Sequence, residues 1–103
     1  MTYAAPEERA RLISGLRELA EFLSASPEIP APPEIIVYVF PPHDGTDAER
    51  RAEIDAIASR ICVQPHETRG GHYLASRFFG PVEYAAVAIP HESPETAKGR
   101  EQK

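Results

Sequence analysis

The chain has little with which to staple itself or coordinate a metal. It holds one cysteine, Cys62, in 103 residues. A single thiol forms no intrachain disulfide framework and no cysteine-rich zinc site. Cys62 stands between Ile61 and Val63 at the junction of a helix and a strand, and a buried structural thiol is expected there. Tryptophan is absent. The longest apolar run, residues 35–42, falls far short of the ~20 residues that cross a bilayer. The first residues, MTYAAPEERARL, show no basic segment followed by an apolar one, so no secretory signal is expected and the expected location is the cytoplasm.

Positive charge is also scarce. Lys and Arg total 11 against 16 Asp and Glu, a net charge of −5. That balance counts against non-specific binding to nucleic acid or to an anionic membrane, since both require cations to displace counterions or meet headgroups. No Gly-x-Ser-x-Gly, P-loop or GxGxxG motif occurs, and the four histidines 43, 66, 72 and 91 show no HxH, HxxxH or HExxH spacing. No catalytic residue, metal ligand or cofactor is predicted. His43-Asp44 could form a metal or acid–base pair at a strand end, but Asp44-Gly45 is also ordinary turn chemistry.

What is present builds one small domain over residues 1–90, with 91–103 a polar flexible tail. A chain of this length buries roughly 60% of the surface it exposes when unfolded. Residues 6–25 read as a first helix. Pro6 suits its first position, Glu7 and Glu8 complement the dipole, and Leu12, Leu16, Leu19, Ala20 and Leu23 form an apolar stripe that Ile13 and Phe22 widen. Core packing within the domain is the expected use of that stripe. The segment SPEIPAPP at 26–33 ends the helix and acts as a stiff spacer. Residues 34–41 read as a strand. Ile35, Val37 and Val39 face one way and Ile36, Tyr38 and Phe40 the other, which predicts a central strand covered on both sides. Thr46 and Glu49 match a capping box opening a second helix over about 47–61.

The stretch 63–90 reads as three strands folded back at Gly70-Gly71 and Gly80-Pro81. With Gly70-Gly71 as a two-residue loop, Thr68 opposes Tyr73, Glu67 opposes Leu74 and His66 opposes Ala75. With Gly80-Pro81 as the second loop, Phe79 opposes Val82, Arg77 opposes Tyr84, Ala75 opposes Ala86 and Leu74 opposes Val87. Alternation then separates two faces. One, led by Leu74, Phe78, Val87 and Ile89, is expected under the helices. The other carries His66, Tyr73, Arg77, Phe79 and Tyr84 around small residues, a pattern suited to a shallow hollow or a subunit interface. In this register His66 and His72 point to opposite faces.

The strand-helix-strand-strand-strand order from residue 34 resembles one half-module of the glyoxalase/vicinal-oxygen-chelate class. Modules of that class pair to enclose a metal-binding cavity, with His or Glu ligands on strands. Here the first strand supplies only Glu34 and the last only Glu83. The pattern Tyr73, Leu74, Arg77, Phe79, Gly80, Pro81, Val82, Glu83, Tyr84 also resembles a hairpin of short uncharacterised proteins of actinobacteria and their phages, a likeness that implies no activity.

The expectation is therefore an α+β domain: helix-strand-helix followed by a three-stranded antiparallel meander, with the helices packed on the sheet. The expected function is a small non-enzymatic protein-interaction module, homodimeric through the face bearing His66, Tyr73, Arg77, Phe79 and Tyr84, with another protein as a further possible partner. The alternative is a small-molecule-binding or metal-dependent glyoxalase-like protein with its cavity between two chains. Single-stranded nucleic acid stacking on the aromatic face is a third reading, against which the acidic charge counts.

Overall fold

A computed structural model describes residues 3–42 and 44–90. His43, His91 and the predicted tail lie outside the described residues. The order is α1 (Pro6–Ala25), β1 (Ile35–Val39), α2 (Asp47–Arg60), β2 (His66–Glu67), β3 (Tyr73–Phe79) and β4 (Val82–Ala88). Two helices and one mixed four-stranded sheet place the domain in the α+β class.

The helix ends follow the local chemistry. The Glu8 carboxylate accepts the Ala5 N–H at 2.8 Å ahead of Pro6. At α2 both halves of the capping box form: Glu49 N–H donates to Thr46 Oγ1 at 3.0 Å, and Thr46 N–H donates to the Glu49 carboxylate at 2.8 Å. The C-terminus of α2 closes through Val63 N–H donating to the Ala58 carbonyl at 3.0 Å, with Cys62 in the left-handed region at φ 61°. Glycine normally fills this position. The geometry turns Cys62 outward, so the thiol is exposed rather than buried as its apolar neighbours suggest.

The sheet order is β1-β4-β3-β2. The β3–β4 hairpin has the register read from Gly80-Pro81, with Phe79 opposite Val82, Arg77 opposite Tyr84 and Ala75 opposite Ala86. Gly80 takes φ 62°, as the first central residue of a primed hairpin turn can. β2 joins β3 antiparallel, but β1 adds in parallel beyond β4, so the sheet is mixed rather than a three-stranded meander alone. β1 is an edge strand, not a central one, and Ile35, Ile36, Val37 and Tyr38 are all exposed. Its apolar content on both faces therefore reports surface that the described residues leave uncovered.

The Gly70-Gly71 loop is one residue longer than the simplest hairpin. Thr68 N–H donates to the His72 carbonyl at 2.8 Å, Gly71 N–H donates to the Thr68 carbonyl at 3.0 Å, and His72 N–H donates to Thr68 Oγ1 at 3.2 Å. The loop is thus Arg69-Gly70-Gly71, with the positive φ (84°) at Gly71 alone. His66 opposes Leu74 and Glu67 opposes Tyr73. A one-residue change of register moves every side chain of a strand to the other face. His66 therefore leaves the face of Tyr73 and Arg77 and joins that of Leu74 and His72.

The core lies between α2 and one sheet face. Ile54, Ile57 and Ala58 pack on Ala75, Ala86 and Ala88, flanked by Ile61, Val63, Tyr73 and Tyr84. Alanine on the strands lets the helix approach closely, and isoleucine on the helix fills the gap. The helix thus covers the Tyr73/Tyr84 face, and among the described residues no helix covers the face of Leu74, Phe78 and Val87, the reverse of the expectation. Arg50, 4% exposed, ties the start of α2 to the end of β4 by donating to Asp47 Oδ1 and to the Ile89 carbonyl.

Among the described residues, α1 packs on no other element and buries none of its side chains. The expectation that both helices lie on the sheet holds for α2 only. Ahead of α1, the Tyr3 O–H donates to the Glu53 carboxylate at 3.3 Å, which holds the N-terminal segment against α2.

Candidate interaction surfaces

Of the residues expected to form a working face, Tyr73, Arg77, Phe79 and Tyr84 share the side of the sheet that α2 occupies. Tyr73 serves the domain itself. Its O–H donates to Asp55 on α2, and the Arg51 guanidinium lies 4.2 Å from its ring centroid. Arg51 also pairs with Glu67 on β2 at 2.9 Å. This group joins α2, β2 and β3 and leaves little of Tyr73 for a ligand. The hydrogen bond to Asp55 holds the Tyr73 phenol above its ordinary pKa. Tyr84 borders the core. Arg77 and Phe79 lie beyond the end of that contact, exposed, with the guanidinium 5.1 Å from the ring centroid. His66, on the other side, does not join them.

The structure leaves a second surface open. On the face away from α2, one row across the sheet reads Ile36, Glu83, Phe78, and the next reads Tyr38, Ala85, Ser76. A third row reads Val87, Leu74, His66. Ala85 and Val87 form a buried floor. Larger side chains stand around it: Phe78 is 65% exposed and Tyr38 56%. Phe40 continues the rim, stacked on Tyr38 with centroids 5.9 Å apart. Glu83 is half-buried between Ile36 and Phe78. The sequence carried a signal for this surface in the alternation of Ile36, Tyr38 and Phe40 with Leu74, Phe78 and Val87. What it did not carry was which of two apolar faces α2 would cover.

A third feature is the stripe of α1, where Leu12 is 55% exposed and Leu16, Leu19 and Phe22 are comparably open. By contrast, concave sites are poor. A depression of about 50 Å³, open to solvent, lies among Asp47, Arg50, Arg51, Gly71, Ala88, Ile89 and Pro90. It is smaller than the ~300–1,000 Å³ of ordinary ligand pockets. Its most buried cation, Arg50, is already bound to Asp47 and the Ile89 carbonyl. Among the described residues, no three His, Cys, Asp or Glu side chains come together in a way that could hold a metal ion. No described helix is long and apolar enough to cross a membrane.

No protein-family model, curated protein or solved structure matches the chain.

Proposed function

We propose that the protein is a small non-enzymatic interaction module that associates with itself through the open face of its sheet. The observation that supports this most is the uncovered set Ile36, Tyr38, Phe40 and Phe78, all exposed around the buried floor of Ala85 and Val87. Large apolar side chains each about half exposed make a patch on the order of 500 Å², at the upper end of what soluble monomers leave open. Covering it by a second copy removes the apolar surface from water, and within the three rows of the sheet it takes water from the one carboxylate, Glu83. The face differs from the one read in sequence because Tyr73 and Tyr84 are engaged by α2.

Sedimentation equilibrium of the full chain tests the reading. A dimer is expected at micromolar concentration, with Phe78→Lys raising the dissociation constant by about tenfold or more, equivalent to ~1.4 kcal/mol. A strict monomer at every concentration tested would end the reading. So would a dimer indifferent to both Phe78→Lys and Tyr38→Lys while each variant remains folded by circular dichroism.

A further inference from the structure

We infer that α1 is the occupant of this face: the helix of one copy lies along the open sheet of a second copy, and the exchange is reciprocal. The inference rests on the self-association just proposed and adds which element makes the contact and in which direction it runs.

Each chain carries two apolar surfaces of complementary kind, a helix stripe and a sheet face, and neither is covered by another element among the described residues of its own chain. Helices in proteins draw most of their stability from packing an amphipathic face, and α1 buries none of its described side chains. The Tyr3–Glu53 hydrogen bond holds the start of α1 on the α2 side of its own sheet, opposite the open face, and the connector after α1 is stiff. It contains Pro27, Pro30, Pro32 and Pro33, and such a segment is a semi-rigid spacer of about 3.1 Å per residue. Pairing of α1 with α1 would cover the stripe but leave Tyr38 and Phe78 bare. Exchange covers both surfaces at once and closes with two-fold symmetry. The stripe and the open face together amount to on the order of 1,000 Å² per chain, compared with ~800 Å² per partner in a standard stable interface.

Length and charge set the direction. The stripe from Arg9 to Leu23 is about 21 Å long at 1.5 Å per residue, and a seven-residue strand such as β3 or β4 is about 23 Å. Arg9 continues the stripe at its N-terminal end, three residues before Leu12. Glu83 is the carboxylate within the open face, and neither it nor Arg9 forms an ion pair among the described residues. Setting Arg9 beside the partner's Glu83 runs the helix parallel to β4. Leu12 and Ile13 then meet Ile36 and Phe78. Leu16 sits over the small pair Ala85 and Ser76, and Leu19 and Leu23 lie toward Val87 and Leu74.

Cysteine cross-linking tests this in the full chain with Cys62→Ser as background. Chains bearing Leu16→Cys alone and Ser76→Cys alone are oxidised separately and mixed. Exchange predicts a disulfide-linked dimer in the mixture and little in either chain alone. A cross-link from Ser76→Cys alone, from Leu16→Cys alone, or from no sample of a chain that sediments as a dimer overturns the exchange while self-association stands. A monomer in sedimentation overturns both. So does an intrachain disulfide in a monomeric chain carrying both cysteines, since α1 then covers its own sheet. As a second readout, Arg9→Glu should raise the dissociation constant by about threefold to tenfold, and Arg9→Glu with Glu83→Arg should restore it. Failure of the double variant to recover, with both variants folded, overturns the stated direction.

Discussion

Among the described residues, Ile54 is the one large side chain with no exposed surface, at 0%. It sits where α2 meets Ala75 and Ala86, and it connects the helix to both strands of the long hairpin. Ile54→Ala removes three carbons from this site. Transfer alone accounts for about 2.4 kcal/mol at ~0.8 kcal/mol per buried carbon. A cavity term adds to that, because alanines opposite the site have no longer rotamers with which to fill the space, and the expected loss is ~3–4 kcal/mol. A domain of this size has only about 5–10 kcal/mol in total, so the variant should lose a third or more of its stability. The assay is urea denaturation followed by far-UV circular dichroism, with wild type and variant at one protein concentration, since self-association makes stability concentration-dependent. The midpoint should fall sharply with an unchanged slope. Leu16→Ala at low protein concentration is the contrast: α1 packs on no other element among the described residues and Leu16 is exposed, so the monomer should lose less than ~0.5 kcal/mol. A loss below ~1 kcal/mol for Ile54→Ala would refute the docking of α2 on the alanine face.

Three other outcomes are expected. Cys62→Gly should raise stability by about 0.5–1 kcal/mol in the same urea assay. It relieves a left-handed φ of 61° at an exposed site, and the greater freedom of glycine in the unfolded chain offsets part of the gain. Gly71→Ala should lose ~1–2 kcal/mol because its φ is 84°, while Gly70→Ala should change little; equal losses would restore the two-residue reading of the loop. Burial, followed by the Glu53 carboxylate beside it, pushes the Tyr3 phenol up to about 12 from its usual 10. A phenol whose folded pKa is raised contributes stability that is fully present below pH 10 and lost as pH rises through 12. Denaturation midpoints between those values should therefore decline less in Tyr3→Phe than in wild type, and parallel declines would contradict the Tyr3–Glu53 contact.

Local chemistry in the chain was enough to determine the elements and several of their details. Pro6 with Glu8, and Thr46 with Glu49, mark helix starts because the orphan N–H groups there need acceptors within a few residues. Gly80-Pro81 determined the β3–β4 register because few loops of that length close a hairpin. Tertiary packing decided the rest. Gly70-Gly71 fits both a two-residue and a three-residue loop, and the hydrogen bonds of Thr68 with His72 and Gly71, together with Glu67 beside Arg51 and Tyr73, separate them; with that choice His66 changes face. Both faces of the long hairpin are apolar, so alternation sorted the side chains without saying which set α2 would cover. Hydrophobicity favoured Leu74, Phe78 and Val87, whereas close approach of a helix favoured Ala75, Ala86 and Ala88. An amphipathic stripe on α1 and an apolar β1 state that each needs a partner. Whether the partner lies in the same chain depends on where a proline-rich spacer directs the helix, and no periodicity within the helix encodes that.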